Sequence, residues 1–586
     1  MDDIKAEDRN QHVETTNRHS PQYDSASDVT GFEADETTLK PGYFRSSFFL
    51  GSMTAICLGL FAGVSGFAYA APILTLINND IGPDPNIAWV ALVYTLTSAV
   101  CITLVGRISD IFGRRYMFIG GALVALVGSI VCSRAMSVPE LIGGMTLIGI
   151  GASTQLSYYF VMGELVPMRY RLAGNAAVYV SQIPGSGIAP VVATAFVKYQ
   201  PAVGWRGCYY LLIAVNAVAL ACWVFFYFPP NFHMKHGNAK IFDYIRKFDY
   251  VGTILYTGGL LILLMGLNWG GQLYAWNSSH VVATIVVGAV SLIVFVLWET
   301  FMKLEEPLVP MYVFDNRGWI CATLISGIGA SMYYAFAIVW PSAVNILYAD
   351  ATSPIGAAWM SSIVGLLIVI GEIVGGFAAK TIMHIKWQIT VSVFLGGLFF
   401  ACVATCGPDD KNRACAFVAL GVFFVGWAES LAITTLTLTA KRQDELGTAS
   451  GIAGAIRFLI ASIASTIYTV ILNNELAKKV APRVTSAVEA AGLPSSSAAQ
   501  FIQALSLGST SLNDIPGVNS NIITTGRDAY KNANASAYHT VFLTTLAFSG
   551  ICVICALLLP NVDHLLTNKI ATTLRRDEKS EVKDVA

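Results

Sequence analysis

Apolar residues in this chain come in long unbroken runs separated by short polar turns, and they do not alternate. The runs lie near 48–70, 86–106, 116–134, 139–162, 172–195, 208–228, 250–267, 281–300, 318–340, 355–379, 387–406, 413–437, 447–472 and 538–559. Each is close to the roughly 20 residues a helix needs to cross a bilayer core. A spanning β-barrel would instead show segments of about ten residues with strict alternation. The pattern therefore predicts an all-α polytopic membrane protein with fourteen transmembrane helices. Residues 1–45 and 560–586 are polar and are expected to be cytosolic tails, the first of them disordered. Residues 473–537, rich in Ala, Ser and Leu, are too polar to span. They are expected as an external loop, with short surface helices within 484–506.

Composition agrees with this pattern. Of 586 residues, 55% are hydrophobic and 12% charged, against about 25% charged in soluble domains. A net charge of -1 gives nucleic-acid binding no basis. Lys and Arg set the orientation. The loops on one side carry Arg114, Arg115, Arg169, Arg171, Lys441 and Arg442 among others, and the short loops on the other carry Arg134, Lys198, Arg206, Lys411 and Arg413. Both termini are thus expected in the cytosol. The sequons at Asn277 and Asn534 fall on the expected outer side and are candidate glycosylation sites. Of the eleven cysteines, Cys406 and Cys415 flank one outer turn. A disulfide is conceivable there, but packed thiols are the expectation, as they are for Cys552 and Cys555 inside a span.

The sharpest motif is Gly106-Arg-Ile-Ser-Asp110-Ile-Phe-Gly113-Arg114-Arg115, in the cytosolic turn after the second span. Gly106 permits close helix approach, and Gly113 permits a tight turn. Asp110 can accept from Arg114 or from a neighbouring helix N-terminus. Such a charged latch can make and break as two bundles rock. Glu164-x-x-Pro167-x-x-x-Arg171 follows the fourth span. Glu164 and Arg171 are expected to pair, and with Asp110 to form one network. A weaker echo of the first motif, Gly375-Gly-Phe-Ala-Ala-Lys380, follows the tenth span and lacks the Asp. The fifth span reads Pro184-Gly185-Ser-Gly187-Ile-Ala189-Pro190, a composition that kinks a helix.

The latch motif resembles the loop signature of the major facilitator superfamily. The fifth-span segment is similar to the antiporter motif of drug–proton exchangers, with Ala189 where that motif has its second glycine. Trp269-Gly270-Gly271, Glu445-Leu-Gly447-Thr-Ala-Ser-Gly451, Gly492-Leu-Pro494 and Ile515-Pro-Gly517, taken with the span count, resemble the fungal trichothecene efflux pump family, which is related to fungal siderophore transporters. The resemblance covers most of 45–565. It implies a six-helix bundle over 46–228, a linker with two inserted helices over 229–316, and a second bundle over 317–559.

In the superfamily's architecture the first, fourth, seventh and tenth core helices line a cavity. Here those are the first, fourth, ninth and twelfth spans. Gln155, Tyr158, Tyr333 and Trp427 then become cavity candidates, and Glu429 becomes the leading proton-coupling residue with Glu372 as its rival. Adjacent residues such as Tyr333 and Tyr334 are not expected to face one cavity together. Ionisable residues inside spans are costly unless paired or used; Glu372 and Arg457 are one expected pair. The resemblance implies proton-coupled export of a small amphipathic metabolite or toxin by alternating access. The plasma membrane is the expected site, or else a vacuolar or vesicle membrane. The partners are substrate, protons and lipid, with no cofactor or metal, and the unit is a monomer. Proton-coupled uptake of ferric siderophores is the alternative with the same fold. A non-transporting receptor is a further alternative from a different class. No nucleotide-binding loop or metalloprotease motif points to an enzyme.

Overall fold

The computed structural model describes residues 29–32, 34–39, 41–230, 232, 240–271, 273–348, 353–506, 512 and 515–571. Its helices, in order, begin with α1 (Ser47–Ala70), α2 (Leu74–Ile81), α3 (Trp89–Phe112), α4 (Arg114–Arg134), α5 (Val138–Gln155), α6 (Tyr158–Leu165), α7 (Arg171–Tyr179), α8 (Ala189–Tyr199), α9 (Arg206–Phe226) and α10 (Ile241–Lys247). They continue with α11 (Tyr250–Trp269), α12 (Ser279–Phe301), α13 (Arg317–Leu347), α14 (Pro354–Ser361), α15 (Ile363–Ile382), α16 (Ile385–Val403), α17 (Lys411–Thr439), α18 (Leu446–Ala490), α19 (Ser495–Ser506) and α20 (Ser520–Leu558).

Among the described residues, twelve helices are long and apolar enough to cross a membrane, and a bent pair makes a thirteenth. A fourteenth span is not established. The expected fourth span is divided between α5 and α6, which a turn at Leu156 and Ser157 separates. The bent pair is the expected fifth span. Its two parts, Met168–Gly187 and Ala189–Tyr199, meet at 42°, after a π-helical turn over Ile183–Gly187. Pro184 and Pro190 lack backbone donors there, which loosens the ladder. Gly185 lies so close to α1 that a Cβ would sit 2.5 Å from the Phe61 ring.

Local signals set many helix starts. Ser46, Ser137, Ser278 and Asn316 each accept a backbone N–H from the first turn of the helix they precede. Large apolar side chains such as Val286, Val290 and Ile293 on α12 stay exposed on the helix surface, as lipid-facing residues do. α12 packs against α11, and α11 in turn packs against α3 and α18.

Three expectations need correction. Within 473–537, α19 is a short helix inside the expected 484–506, but most of the stretch is long helix and not loop. α18 runs for 45 residues and α20 for 39; at 1.5 Å per residue α18 is about 68 Å long, more than twice a bilayer core. The far halves of α18 and α20, with α19, close around their own apolar core of Val484, Val488, Phe501, Leu512 and Ile522. Asn534 is consequently buried inside α20, its Nδ2 donating to the Tyr530 carbonyl at 2.9 Å, so a sugar has no room there. Asn277 sits on an exposed turn.

The tails are the third correction. β1 (Ala34–Asp35) pairs antiparallel with β2 (Lys569–Ile570). Thr30 exchanges backbone hydrogen bonds with Lys441 and Gln443, both at 2.8 Å. Glu36 pairs with Arg169 at 2.5 Å. Residues 34–39 and 560–571 are thus fastened to the helix turns by backbone bonds that a composition-based reading cannot see. The rest of both expected tails, 1–28 and 572–586, lies outside the described residues. Cys406 and Cys415 are both free thiols.

Candidate functional site: a central cavity and a charged seam

Two clusters of buried charge lie between α1–α9 and α13–α20. The first sits where α3 ends. Gly113 takes φ +96°, a conformation that favours glycine, and this turns the chain sharply into α4. Asp110 Oδ1 accepts from Arg114 at 2.8 Å, and the same guanidinium nitrogen meets Glu164 Oε1 at 2.6 Å. Asp110 Oδ2 accepts from the Thr448 backbone N–H at 2.6 Å and from its hydroxyl at 2.8 Å. Asp110 thus caps the N-terminus of α18 across the seam, where a carboxylate is favoured by the helix dipole. A Cβ on Gly106 would lie 2.3 Å from the Gly447 carbonyl oxygen, so the two backbones touch at this point.

Arg171 makes the complementary contact. It is fully buried and donates to the Thr437 carbonyl at 3.0 Å and to Gln443 Oε1 at 2.9 Å. A cation therefore meets the C-terminal turn of α17, while a carboxylate meets the N-terminus of α18. Both are the favoured signs. Glu164, expected to pair with Arg171, makes its 2.6 Å ion pair with Arg114. Arg115 donates to the Val224 carbonyl at 2.9 Å and lies over the Phe228 ring. Nearby, Tyr312 donates to Glu445; burial, with that carboxylate, pushes the phenol's pKa up. The echo motif has a related device. It lacks an Asp of its own, and Asp563 from the C-terminal segment accepts the His384 and Ile385 N–H groups, each at 3.1 Å, at the start of α16.

The second cluster lines a cavity near the middle of the bundle, with an empty volume of about 540 Å³ counting its mouth. Tyr158, Tyr333, Tyr334, Glu372, Glu429 and Arg457 are among its walls. Arg457 donates to Glu429 Oε1 through two nitrogens, Nε at 3.2 Å and a terminal one. The expected Glu372–Arg457 pair is thus replaced by Glu429–Arg457. Glu372 is buried, and its Oε2 has no hydrogen-bond partner among the described residues. Tyr158 donates to the Tyr179 hydroxyl at 2.7 Å.

Other candidates fall elsewhere. Gln155 is tied to Asn216 Oδ1 at 2.6 Å and is not among the residues lining this cavity. Trp427 is also outside the lining and donates to Gln388 Oε1 at 3.2 Å. It is two residues from Glu429, roughly 200° around the helix, so it faces α15 and α16. Tyr333 and Tyr334 do share the cavity, with ring centroids 5.2 Å apart. Neighbours on a helix diverge by about 100°, and both rings still reach its walls. Sequence reasoning missed Thr448, Gln443 and Tyr179. Gly447 and Gly451, four residues apart opposite Gly106, were the available signal of a close helix seam.

The profile of the family described as "Fungal trichothecene efflux pump" matches residues 20–586. The chain is 29% identical over 553 residues to the trichothecene efflux pump of Fusarium sporotrichioides, covering 93% of this chain and 92% of that one. It is 30% identical over 579 residues to the MFS-type transporter prx5 of Penicillium rubens, covering 96% and 99%. The crystal structure of the human organic anion transporter MFSD10 superposes with a TM-score of 0.51 at 13% identity, covering 87% of this chain and 99% of that one. That likeness gives the fold alone.

Proposed function

Because the chain belongs to the fungal trichothecene efflux pump family, we propose that it exports a small amphipathic secondary metabolite of the trichothecene kind in exchange for protons. The observation that carries this reading is the cavity in which one guanidinium, Arg457, sits with two carboxyl groups and pairs with Glu429, while the Glu372 Oε2 has no hydrogen-bond partner among the described residues. A lone carboxylate inside a membrane protein is costly and is relieved by a partner or a proton. In this reading Glu372 carries the proton, and Glu429 is held by Arg457. The phenols of Tyr158 and Tyr333 offer hydrogen bonds to an oxygenated substrate, and their rings offer apolar contact. Substrate entering from the cytosol meets Glu372 after its proton has left; protonation from the acidic side then favours release.

The two helix sets, 46–228 and 317–559, are the bodies that rock in this reading, with α11 and α12 inserted between them. The seam of Asp110, Arg114, Glu164 and Arg171 is the latch that must open on the inward-facing side. The excess of Lys and Arg in the turns at that end supports a cytosolic assignment for it and for both termini. The plasma membrane is the proposed site, a monomer the proposed unit, and Asn277 the sequon open to a sugar. Inside-out vesicles from expressing cells test the transport reading. A radiolabelled trichothecene should accumulate when the lumen is acidic, and a protonophore should abolish this. Equal uptake with and without the gradient would remove proton coupling. No difference from vesicles lacking the chain would remove this substrate class.

A further inference from the structure

A second crevice opens beside the central cavity, with an empty volume of about 500 Å³ counting its mouth. Its walls come from α1, α3, α11, α13 and α18. Among the described residues, no carboxylate, guanidinium or ammonium lines it, in contrast to the central cavity. Tyr334 lines both spaces. Its ring stands edge-on to Phe67 at 5.3 Å and tilted to Phe458 at 5.7 Å, so one aromatic partition separates the two.

The crevice also has a fixed depth. Ser462 and Ser465 lie 16 and 19 residues along α18 from Leu446, roughly 25 Å from the Asp110 end. That end is sealed by the Asp110–Thr448 and Arg171–Thr437 contacts. The crevice is therefore in the other half of the bundle, away from the closed seam and beside the exposed Ile338. Its polar content is small and specific. The Ser465 hydroxyl is buried without a hydrogen-bond partner among the described residues. Asn268 of the inserted helix α11 also lines it, with its Nδ2 tied to the Leu264 carbonyl at 2.8 Å. A lipid acyl chain has no group to satisfy Ser465, and a buried hydroxyl without a partner is uncommon. A rigid apolar molecule with an oxygen does have such a group.

We propose that this crevice is a lateral binding site through which the exported molecule passes from the central cavity, past Tyr334, into the outer half of the bilayer. Its ligand is an uncharged amphipathic molecule with few hydrogen-bonding oxygens, and the inserted helix α11 supplies one wall. The proposal rests on the export reading. Its test is photolabelling of the full-length protein in phosphatidylcholine nanodiscs by a trichothecene bearing a benzophenone ester. Label should appear on the segments around Asn268 and Ser462 and be displaced by unmodified trichothecene. Ser462→Trp should lower it about tenfold. Asn268→Leu, a milder change, should lower it less, with both variants eluting as folded monodisperse protein. Displaceable label confined to Tyr158 and Tyr333 would overturn the crevice and leave the export reading standing. Crevice label displaced by added phospholipid but not by trichothecene would make it a lipid site and overturn the proposal. No displaceable label, in a chain that transports no trichothecene, would remove both.

Discussion

The molecule holds two clusters in which one arginine is set among two carboxyl groups, and they are built to opposite ends. In the seam cluster both Asp110 and Glu164 pair with Arg114, and Asp110 also holds the start of α18. In the cavity cluster, among the described residues, Glu429 alone pairs with Arg457 and Glu372 has an oxygen left over. Arg114 is 2% exposed and Arg457 22% exposed at the side chain. The same composition thus gives a seam where each carboxylate is engaged, and a cavity where one is not, which we propose as joint and proton site respectively. What differs is access and satisfaction, not residue type.

This contrast can be broken by removing each arginine in turn. Arg114→Leu leaves two buried carboxylates without their cation, which costs about 3–5 kcal/mol. We expect loss of folded protein, read as a lower melting temperature in detergent and a drop in monodisperse yield. Arg457→Leu should cost roughly half that, because one buried carboxylate, Glu429, and not two, loses its cation. It should abolish transport while the protein still elutes intact. Equal stability losses for the two variants would erase the distinction between joint and site.

Asp110→Asn is the finest probe. Its side-chain oxygen can still accept from Thr448, but the charge facing Arg114 is gone. A stability loss of about 1 kcal/mol is expected, with slower vesicle uptake and unchanged substrate affinity. A fall in affinity at unchanged maximal rate would place Asp110 in the binding site rather than in the seam.

Much of this was legible in the chain. The apolar runs, the bend at Pro184 to Pro190 and the acceptor role of Asp110 follow from residue types and spacing. The partners did not follow. Spacing suggested Glu164 with Arg171, and the cost of charges inside spans suggested Glu372 with Arg457, but the short pairs are Glu164 with Arg114 and Glu429 with Arg457. Which carboxylate meets which arginine depends on helix rotation, and sequence gives that only to within a residue or two. The same uncertainty explains Trp427, one face away from Glu429. The far module of α18, α19 and α20 was hidden because its apolar residues are diluted by Ala and Ser; their core forms only when three segments come together. The ordered straps at 34–39 and 560–571 rest on backbone bonds, which leave no mark on composition.

The central claim is that Glu372, and not the paired Glu429, carries the proton that drives export. The direct test is proton release from detergent-solubilised protein in weakly buffered solution, followed with a pH-sensitive dye on adding a trichothecene. The parent should release protons on binding. Glu372→Gln should bind the compound and release none. Glu429→Gln should still release protons, even if transport is impaired. Undiminished release from Glu372→Gln, with release lost in Glu429→Gln, would contradict the account.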